Sequence, residues 1–439
     1  MDILNVFAIN LKKRMDRRTS IVHEFSDKPE FKLHIIEGVE QDYGPLGLWQ
    51  TICKIVKERV YANDDYFILC EDDHIFTDQY NVTILIDSIK EATKRKADIL
   101  SGGVSWSMGM LYINEQVTYI EKFTGMQFTV IFRNFYDAIL NAKFTGQDNA
   151  DLLISSLSNR IFVTSKCISV QRDFGYSDVT PKNNEKDKIN TLFEASQNKL
   201  KCLSNVSKHL MFKPEGDECN SDELDSVNLP VYVINLKKRT DRRIHIESQF
   251  KDRPEFNVII VDACEHDYGH IGLWNSLRKV IEIAIQSDDD VIVVCEDDHT
   301  FTEHYNKQYL ISNILEAHEQ GCDILAGGIG GCGSVVPITK NRYWTDWFWC
   351  LQFTVIFKKF FRVILNESCD EDCSPADNKL SEMTGNKMIL HPFISVQTEF
   401  GYSDATERNN KVKGLITSYF QDTNRRFENY REILDSHVT

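Results

Sequence analysis

The sequence predicts an α/β fold that occurs twice in tandem, with a mostly parallel central sheet in each copy. Three observations lead to this prediction. Short apolar runs alternate with segments of helical spacing, two acidic clusters directly follow such runs, and the distinctive blocks of the chain occur twice. Ligands of open α/β sheets bind beyond the carboxyl ends of the strands. The acidic clusters therefore mark two candidate sites.

Blocks of the first half return in the second half at a constant distance. CEDDH stands at 70–74 and again at 295–299, which is 225 residues later, and ISVQRDFGYSDVT at 168–180 returns as ISVQTEFGYSDAT 226 residues later. A period of this length is that of a whole domain rather than of a solenoid repeat. We predict a first domain over 1–205, an acidic linker over 206–228 and a second domain over 229–439.

The pattern of apolar residues predicts each element of the first copy in chain order. Short runs rich in β-branched and aromatic residues indicate strands, and apolar residues three to four positions apart indicate helices. The expected strands are 6–11, 33–38, 66–70, 98–100 and 128–132. The expected helices are 15–25, 46–60, 84–94 and 189–201, and the second copy ends in a helix over 415–434.

The composition restricts the classes of function. The 439 residues carry a formal net charge of −16, so a general nucleic-acid binder is not expected, because phosphate backbones require a basic surface. No signal peptide is recognisable, and no run of about eighteen apolar residues would form an integral membrane segment. The 12 cysteines are scattered along the chain. We expect a cytoplasmic protein with reduced thiols.

The acidic clusters are candidate cation sites. Glu71 and Asp73 are two residues apart, so an extended backbone directs both side chains to one side, and Glu296 and Asp298 repeat the arrangement. Two such carboxylates, together with phosphate oxygens, suit Mn²⁺ or Mg²⁺. The alternative is an acidic turn that water solvates after the strand.

A basic segment follows the first strand of each copy. NLKKRMDRR at 10–18 returns as NLKKRTDRR at 235–243, where a helix begins. Helix N-termini and guanidinium groups suit a diphosphate. The alternative is a solvated helix face. The arginines predicted to bind the diphosphate are Arg14, Arg18, Arg239 and Arg243.

Taken together, these motifs resemble glycosyltransferase family 25, which includes bacterial lipooligosaccharide glycosyltransferases and collagen β-galactosyltransferases. The resemblance rests on the order of INLKKR, GLW, EDD and a late SD, and it covers most of each copy. It implies two tandem GT-A-type nucleotide-binding domains. It also implies an inverting, metal-dependent transfer of a sugar from a UDP-sugar to a glycan or another hydroxyl acceptor.

The resemblance also assigns roles to individual residues. The last acid of each EDD, Asp73 or Asp298, would bind the metal, and the first, Glu71 or Glu296, would lie near the ribose or a metal-bound water. The family's usual Gly-Glu-Ile-Gly and Ser-His elements are replaced here by DYGPLGLW and DYGHIGLW, so a contact to the donor sugar or the acceptor is expected to differ. The further matched positions are Asn10, Leu11, Asn235 and Leu236 for the nucleotide, and Asp178 and Asp404 for the metal.

An inverting transfer needs a base that deprotonates the acceptor hydroxyl. Asp151 and Asp377 align with each other and are the candidates. The alternative is helix N-capping, since a helical stretch follows each of them. Asp173 and Glu399 are second choices.

Three histidines leave alternatives open. His74 and His299 follow the acids directly, and each would either orient a carboxylate or bond to the backbone. His391 would be a metal ligand or a structural histidine, and the structural role is favoured because the first copy has Ser165 there.

The second copy has aromatic residues that the first copy lacks. Trp344, Trp347 and Trp349 would form a platform for an acceptor sugar or a buried anchor. The segment GGIGGCGS at 327–334 lacks the ending of a phosphate-binding loop and is interpreted as a flexible loop. We therefore expect two sites with the same donor chemistry and unequal acceptors.

Three functions remain compatible with these residues. The first is a tandem, bifunctional glycosyltransferase. The second is a carbohydrate- or nucleotide-sugar-binding protein in which one or both copies have lost catalysis. The third is a metal-dependent nucleotidyl- or phosphotransferase that uses the same acidic cluster.

Overall fold

A computed structural model describes residues 3–62, 64–176, 185, 187–210, 227–402 and 412–436. The chain divides into one unit formed by Met1–Val206 and Ile433–Thr439 and a second formed by Ser207–Glu432. Most of the predicted linker, residues 211–226, lies outside the described residues. No helix in the described ranges is long and apolar enough to cross a membrane.

The first unit has helices on a mixed sheet. Its helices are α1 Met15–Glu24, α2 Gly44–Val60, α3 Val82–Lys94, α4 Tyr136–Asn141, α5 Ala150–Ser156 and α6 Lys188–Leu210, with a 3₁₀ turn at Arg133–Phe135. Its strands are β1 Leu4–Asn10, β2 Phe31–Glu37, β3 Tyr66–Glu71, β4 His74–Phe76, β5 Ile99–Ser101, β6 Trp106–Tyr112, β7 Val117–Thr124, β8 Phe128–Phe132, β9 Ile161–Thr164 and β10 Ser169–Gln171.

The strand directions in this sheet correct the prediction of a mostly parallel sheet. The order is β2-β1-β3-β8-β5-β9-β7-β6. The pairs β1–β2, β1–β3 and β5–β9 are parallel, whereas β3–β8, β5–β8, β7–β9 and β6–β7 are antiparallel. A short turn at 113–116 joins β6 to β7 and reverses the chain, whereas a parallel neighbour needs a longer crossover. The prediction of a mostly parallel sheet is therefore wrong, because the sheet is only partly parallel.

The second unit repeats this architecture. Its helices are α7 Thr240–Phe250, α8 Gly269–Gln286, α9 Lys307–Glu319, α10 Lys358–Asn366, α11 Ala376–Glu382 and α12 Leu415–Asp435. Its strands are β11 Leu229–Asn235, β12 Phe256–Asp262, β13 Val291–Glu296, β14 His299–Phe301, β15 Ile324–Ala326, β16 Gly331–Cys332, β17 Val335–Thr339, β18 Arg342–Thr345, β19 Phe348–Trp349, β20 Phe353–Phe357, β21 Lys387–Leu390 and β22 Ser395–Gln397.

The strand order of the second sheet is β12-β11-β13-β20-β15-β21-β18-β17. Its parallel and antiparallel pairs follow the pattern of the first sheet. The long hairpin β6–β7 has a divided counterpart in the second unit, because β16–β19 and β17–β18 form separate ladders. This division lies next to the candidate site of the second unit.

The parallel pairing of β1 with β3 places the acidic cluster. Ile9 lies opposite Glu71 in the first unit, and Ile234 lies opposite Glu296 in the second. The apolar residues 67–70 of β3 are fully buried, so the strand is fixed in the core up to the point where the acids begin. Because β1 and β3 run in the same direction, the residues that follow both strands meet at one edge of the sheet.

A glycine pair after β5, and again after β15, allows a close approach of two backbones. A methyl group on Gly328 would collide with the carbonyl oxygen of Ser395, and one on Gly103 with that of Ser169. We expect Gly328→Ala to lower the free energy of unfolding by about 1–3 kcal/mol, measured by urea denaturation. Gly385→Ala is the control, since its methyl group would meet nothing within 4 Å. Equal losses in the two variants would contradict the steric argument.

Candidate active site

The three acids after β3 have three different environments. Asp72 is buried and accepts hydrogen bonds from Asn10 Nδ2 at 2.8 Å and from Arg17 Nη1 at 3.0 Å. The Oδ2 atom of Asp73 accepts from the same Nη1 at 3.2 Å, whereas its Oδ1 is buried with no hydrogen-bond partner among the described residues. Glu71 lines the adjoining cavity. The cluster is therefore held by a buried arginine and is not a turn that only water solvates.

The second unit reproduces this arrangement. Asn235 Nδ2 donates to Asp297 at 2.8 Å, and Arg242 Nη1 donates to Asp297 at 2.8 Å and to Asp298 at 3.4 Å. The Oδ1 atom of Asp298 is again buried with no hydrogen-bond partner in the described ranges. Here Glu296 has a partner as well, because Gln397 Nε2 donates to its Oε2 at 3.3 Å. All three acids of each EDD line the cavity, and the middle one is also the anchor that the asparagine and the arginine hold.

Helix phase selects which arginine reaches the acids. Arg17, on the buried face of α1 with Ile21, contacts them, whereas Arg18 is exposed. In the second unit Arg242 is the buried arginine, and Arg243 is exposed and pairs with Glu247 at 2.9 Å. The structure therefore does not bring Arg18 and Arg243 to the acids.

The other two predicted arginines stack on tyrosines. The guanidinium of Arg14 lies 3.9 Å from the ring centroid of Tyr176, and Arg239 lies 3.9 Å from that of Tyr402. Cation–π contacts of this kind fix a planar cation over an aromatic face. These two tyrosines precede the SD motifs, so the part of the FGYSD block that the structure describes packs on the basic segment.

Tyr176 also connects the start of α1 to the acids, which the sequence reasoning missed. Arg17 Nη2 donates to the Tyr176 carbonyl oxygen at 2.8 Å, and the Tyr176 hydroxyl donates to Asp16 at 2.8 Å. Tyr402 makes the equivalent bonds with Arg242 and Asp241 at 2.9 and 3.0 Å. The repetition of FGY in both copies was the signal that could have identified this contact. Asp178 and Asp404, two residues after these tyrosines in the sequence, lie outside the described residues.

A cavity lies beside the cluster in each unit. Its volume is about 720 Å³ in the first unit and about 1160 Å³ in the second. Predicted residues of both motifs meet there together with a lysine of the basic segment. The first cavity is lined in part by Leu11, Lys13, Arg17, Glu71, Asp73 and Asp151. The second is lined in part by Leu236, Lys238, Arg242, Glu296, Asp298 and Asp377.

Burial penalises the charged form of the cavity carboxylates. Burial, together with the neighbouring carboxylates, raises the pKa of Glu71 and of Glu296 well above the usual range. Burial also raises the pKa of Asp73 and of Asp298 to about 7, although the adjacent arginine acts in the opposite direction. A carboxylate whose charged form is penalised in this way is stabilised by a nearby cation. The clusters are therefore suited to bind positive charge from a ligand.

The two candidate bases lie in the cavities, and each is tied to a residue with left-handed backbone. Asp151 Oδ2 accepts from the amide of Gly125, whose φ is 97°, at 2.7 Å. Asp377 Oδ2 accepts from the amide of Cys350, whose φ is 87°, at 3.0 Å. The cap of α5 is Asn149 rather than Asp151, so the N-capping alternative does not describe the first unit. Burial raises the pKa of Asp151.

Glu399, a second-choice base, has a structural role in the second unit. Its carboxylate accepts from the amides of Gly414 and Thr417 at 2.7 and 2.9 Å, which lie at the start of α12. These hydrogen bonds, with that to Thr417 first among them, lower the pKa of Glu399. Asp173 accepts from the amide of Gly175 at 2.7 Å. Both carboxylates are thus used in local backbone contacts.

His74 and His299 fit neither predicted alternative. Both rings are fully buried. The Nδ1 atom of His74 lies 2.8 Å from the hydroxyl of Ser169, and that of His299 lies 2.7 Å from the hydroxyl of Ser395. Burial lowers the pKa of His74 to about 3, so this ring is neutral. The predictions failed because β4 and β14, which carry these histidines, pair with β10 and β22, and that pairing was not foreseen.

His391 is structural. It is 2% exposed, lies outside the described lining of the second cavity, and packs on Phe427 with ring centroids 5.1 Å apart. Its Nε2 lies 3.2 Å from Asn424 Oδ1. Burial, reinforced by Arg431, lowers the pKa of His391 to about 4.

His391 is expected to make the second unit sensitive to acid. In the unfolded chain a histidine titrates near pH 6.5, so between about 6.5 and about 4 the unfolded state binds more protons. The free energy of unfolding therefore falls as the pH falls through this range, by up to about 3 kcal/mol. We expect His391→Gln to lose less stability than the wild type between about pH 7 and about pH 5 in urea denaturation. The same loss in both proteins would contradict this assignment.

Comparisons with known proteins give only distant similarities. No protein-family model matches the chain, and a search of curated proteins found no match. Among solved structures, it is similar to A197 from STIV, with 12% identity, coverage of 41% of this chain and 92% of A197, and a TM-score of 0.27. HddC from Yersinia pseudotuberculosis is 12% identical over 44% of this chain and 78% of HddC, with a TM-score of 0.25. An apo UDP-glucose pyrophosphorylase is 10% identical over 45% of this chain and 82% of that one, with a TM-score of 0.25. These findings assign the chain to no family.

Proposed function

We propose that the protein is a glycosyltransferase that binds a nucleotide-diphosphate sugar, a UDP-sugar, in each cavity. It would transfer the sugar, with inversion, to a hydroxyl of a glycan or of another acceptor. One repeated observation carries the proposal. In both units a carboxylate of Asp73 or Asp298 has a buried oxygen without a partner among the described residues, and it lies in a cavity with basic side chains at the carboxyl ends of parallel strands.

The residues fit Mn²⁺ or Mg²⁺. The Oδ1 atom of Asp73, which has no partner among the described residues, is a hard oxygen ligand on a residue that lines the cavity, and burial penalises its charged form. Among the described residues, no three His, Cys, Asp or Glu side chains are arranged to hold a metal ion by themselves. Magnesium is commonly bound by one or two carboxylates together with substrate phosphates and water. Asp73 and Asp298 would thus hold the ion, with Asp178 and Asp404 as further proposed ligands.

When bound, such an ion supplies charge stabilisation for the departing diphosphate. The protein's own contribution begins with Arg17, which holds Oδ2 of Asp73, so that Oδ1 would be the oxygen that binds the ion. Lys13, which pairs with Glu40 at 3.5 Å, lines the same cavity and would supply a further cation for the phosphates. Asp151 would accept the proton of the acceptor hydroxyl, and its raised pKa makes its carboxylate a stronger base. Asp377 would have this role in the second unit.

Radiolabelled UDP-glucose, UDP-galactose and UDP-N-acetylglucosamine, incubated with the chain and Mn²⁺, test this function. We expect slow release of UDP and free sugar, and no release after chelation of the metal with EDTA. Release of UMP together with sugar 1-phosphate would overturn the proposal in favour of phosphoryl or nucleotidyl transfer. Binding of UDP with no turnover of any donor, even when mixed glycan acceptors are added, would favour a binding protein.

A further inference from the structure

The second cavity contains two indoles that lie on a row of glycines. Trp347 and Trp349 are two residues apart around β19, so both side chains lie on one face of the strand, and both line the cavity. Trp347 is 43% exposed, and Trp349 is half-buried. Methyl groups on Gly331 and Gly333 would collide with the rings of Trp349 and Trp347, respectively. The glycines therefore make room for the indoles.

This finding corrects the prediction of a flexible loop at 327–334. The segment is almost entirely buried and contains β16, which pairs with β19. Trp344, in contrast, is a buried anchor, because it is 4% exposed and its Nε1 donates to the Gly385 carbonyl oxygen at 2.6 Å. The three tryptophans of this stretch thus have two different roles.

The first unit has the opposite distribution of large and small side chains. In the β6–β7 ladder Trp106 lies opposite Thr124, whereas in the second unit Gly331 lies opposite Trp349. Thr124 lines the first cavity, and Trp106, which is 44% exposed, is not among the described residues that line it. The tryptophan of this pair is thus on the first strand of the ladder in the first unit and on the second strand in the second unit. Among the described residues, only the tryptophan of the second unit lines the cavity.

The two cavities share the groups assigned to the donor, and they differ in the indoles. Both units have the buried arginine, the EDD cluster and a lysine in the cavity, which are the groups assigned to the donor diphosphate. The indoles of the second unit are not needed for that shared chemistry, because the first unit has none in its cavity lining as described. They are available for a ligand that only the second unit binds.

The residues that line the second cavity around the indoles suit a saccharide ligand. A pyranose ring has a face of C–H groups that packs on an aromatic surface and hydroxyls around its edge that require hydrogen-bond partners. Trp349 packs edge to face on Tyr419, with ring centroids 4.8 Å apart, and this contact orients its ring. Polar side chains that could bond hydroxyls line the same cavity, namely Asp377, Asn378 and Glu382. Apolar walls with a few convergent polar groups are typical of such sites.

We infer that Trp347 and Trp349 form a subsite for a saccharide acceptor in the second unit, and that the first unit has no equivalent subsite. The inference rests on the proposed function, because it names the class of acceptor at one of the two proposed sites. The acceptor ring would stack on the exposed Trp347, with its edge toward Asp377. The first unit would take a different acceptor.

Saturation-transfer NMR of the full chain, without nucleotide or metal, tests this subsite. The probes are the methyl α- and β-glycosides of glucose, galactose, mannose and N-acetylglucosamine, together with lactose and cellobiose. We expect at least one probe to bind through the C–H protons of one ring face. Trp347→Ala should weaken this binding by about tenfold or more, and Trp347→Phe, which keeps an aromatic face, should retain most of it.

Trp106→Ala is the matched control, since Trp106 is equally exposed but lies outside the described lining of the first cavity. Saccharide binding should be unchanged in this variant, and circular dichroism should show that all variants are folded. Absence of binding by every probe, or equal binding by Trp347→Ala and the wild type, would overturn the subsite. The assay contains no UDP. A lack of UDP-sugar turnover would therefore contradict the proposed function without affecting the saccharide-binding result. A lack of saccharide binding would contradict the subsite without affecting the turnover result.

Discussion

Arg17→Ala is expected to lower the stability of the first unit by about 3–5 kcal/mol. Arg17 lies 3.0 Å from Asp72 and 3.2 Å from Asp73, and the Arg17 and Asp72 side chains are each 10% exposed. Burial lowers the pKa of Arg17, but the two carboxylates outweigh that effect and raise it. Removing the guanidinium would leave two buried acids side by side without their cation. Removal of one partner from a buried ion pair lowers the free energy of unfolding by far more than the intact pair adds to it.

Hydrogen exchange measured by mass spectrometry is suited to this test, because peptides from β1 and β3 report on the first unit separately from β11 and β13. Exposed Arg18 provides the control, and Arg18→Ala should change stability by less than about 0.5 kcal/mol. The double variant Arg17→Ala/Asp72→Asn should recover part of the loss, since it removes one buried charge. If Arg17→Ala were no more damaging than Arg18→Ala, the ion pairs would not hold the cluster together.

The same arginine shows what the sequence could and could not predict about the site. The meeting of basic and acidic motifs was predictable, because both follow apolar runs that form parallel neighbouring strands. The identity of the buried arginine was not recognised, since Arg14, Arg17 and Arg18 have the same chemistry and differ only in helix phase. One signal was present. Ile21 lies four residues after Arg17, as Ile246 does after Arg242, and such spacing places both residues on one face of a helix.

The fold, like the site, could be predicted in part. The long elements were found because their apolar periodicity is strong, and the predicted helix at 46–60 corresponds to α2. The strands β6 and β7 were missed, since their sequences WSMGMLY and VTYIEKFT mix polar and apolar residues without strict alternation. Strand direction was predicted wrongly because an apolar run does not record whether a turn or a crossover precedes it. The different positions of the tryptophan in the two units become visible only when the β6–β7 hairpin is known, and the sequence analysis did not predict that hairpin.

Asp73→Asn and Asp298→Asn are expected to remove the two proposed metal sites one at a time. Asparagine keeps the size of the side chain, but it lacks the charge that draws a divalent cation into a cavity of this kind. In the presence of UDP, we expect the wild-type chain to bind two Mn²⁺ ions and each variant to bind one, measured by electron paramagnetic resonance titration of free Mn²⁺. UDP-sugar turnover at the altered site should fall by about a hundredfold or more.

Aligned exposed acids provide the controls for these two variants. Asp78→Asn in the first unit and Glu303→Gln in the second remove one charge each at corresponding surface positions, and both should retain two Mn²⁺ ions. Retention of two ions by Asp73→Asn and by Asp298→Asn would show that the free carboxylate oxygens do not bind metal. The distribution of the remaining turnover then identifies the active unit. If Asp298→Asn abolishes transfer to the saccharides that stack on Trp347 while Asp73→Asn does not, donor and acceptor meet in the second cavity, and the first unit uses the same donor chemistry for another acceptor.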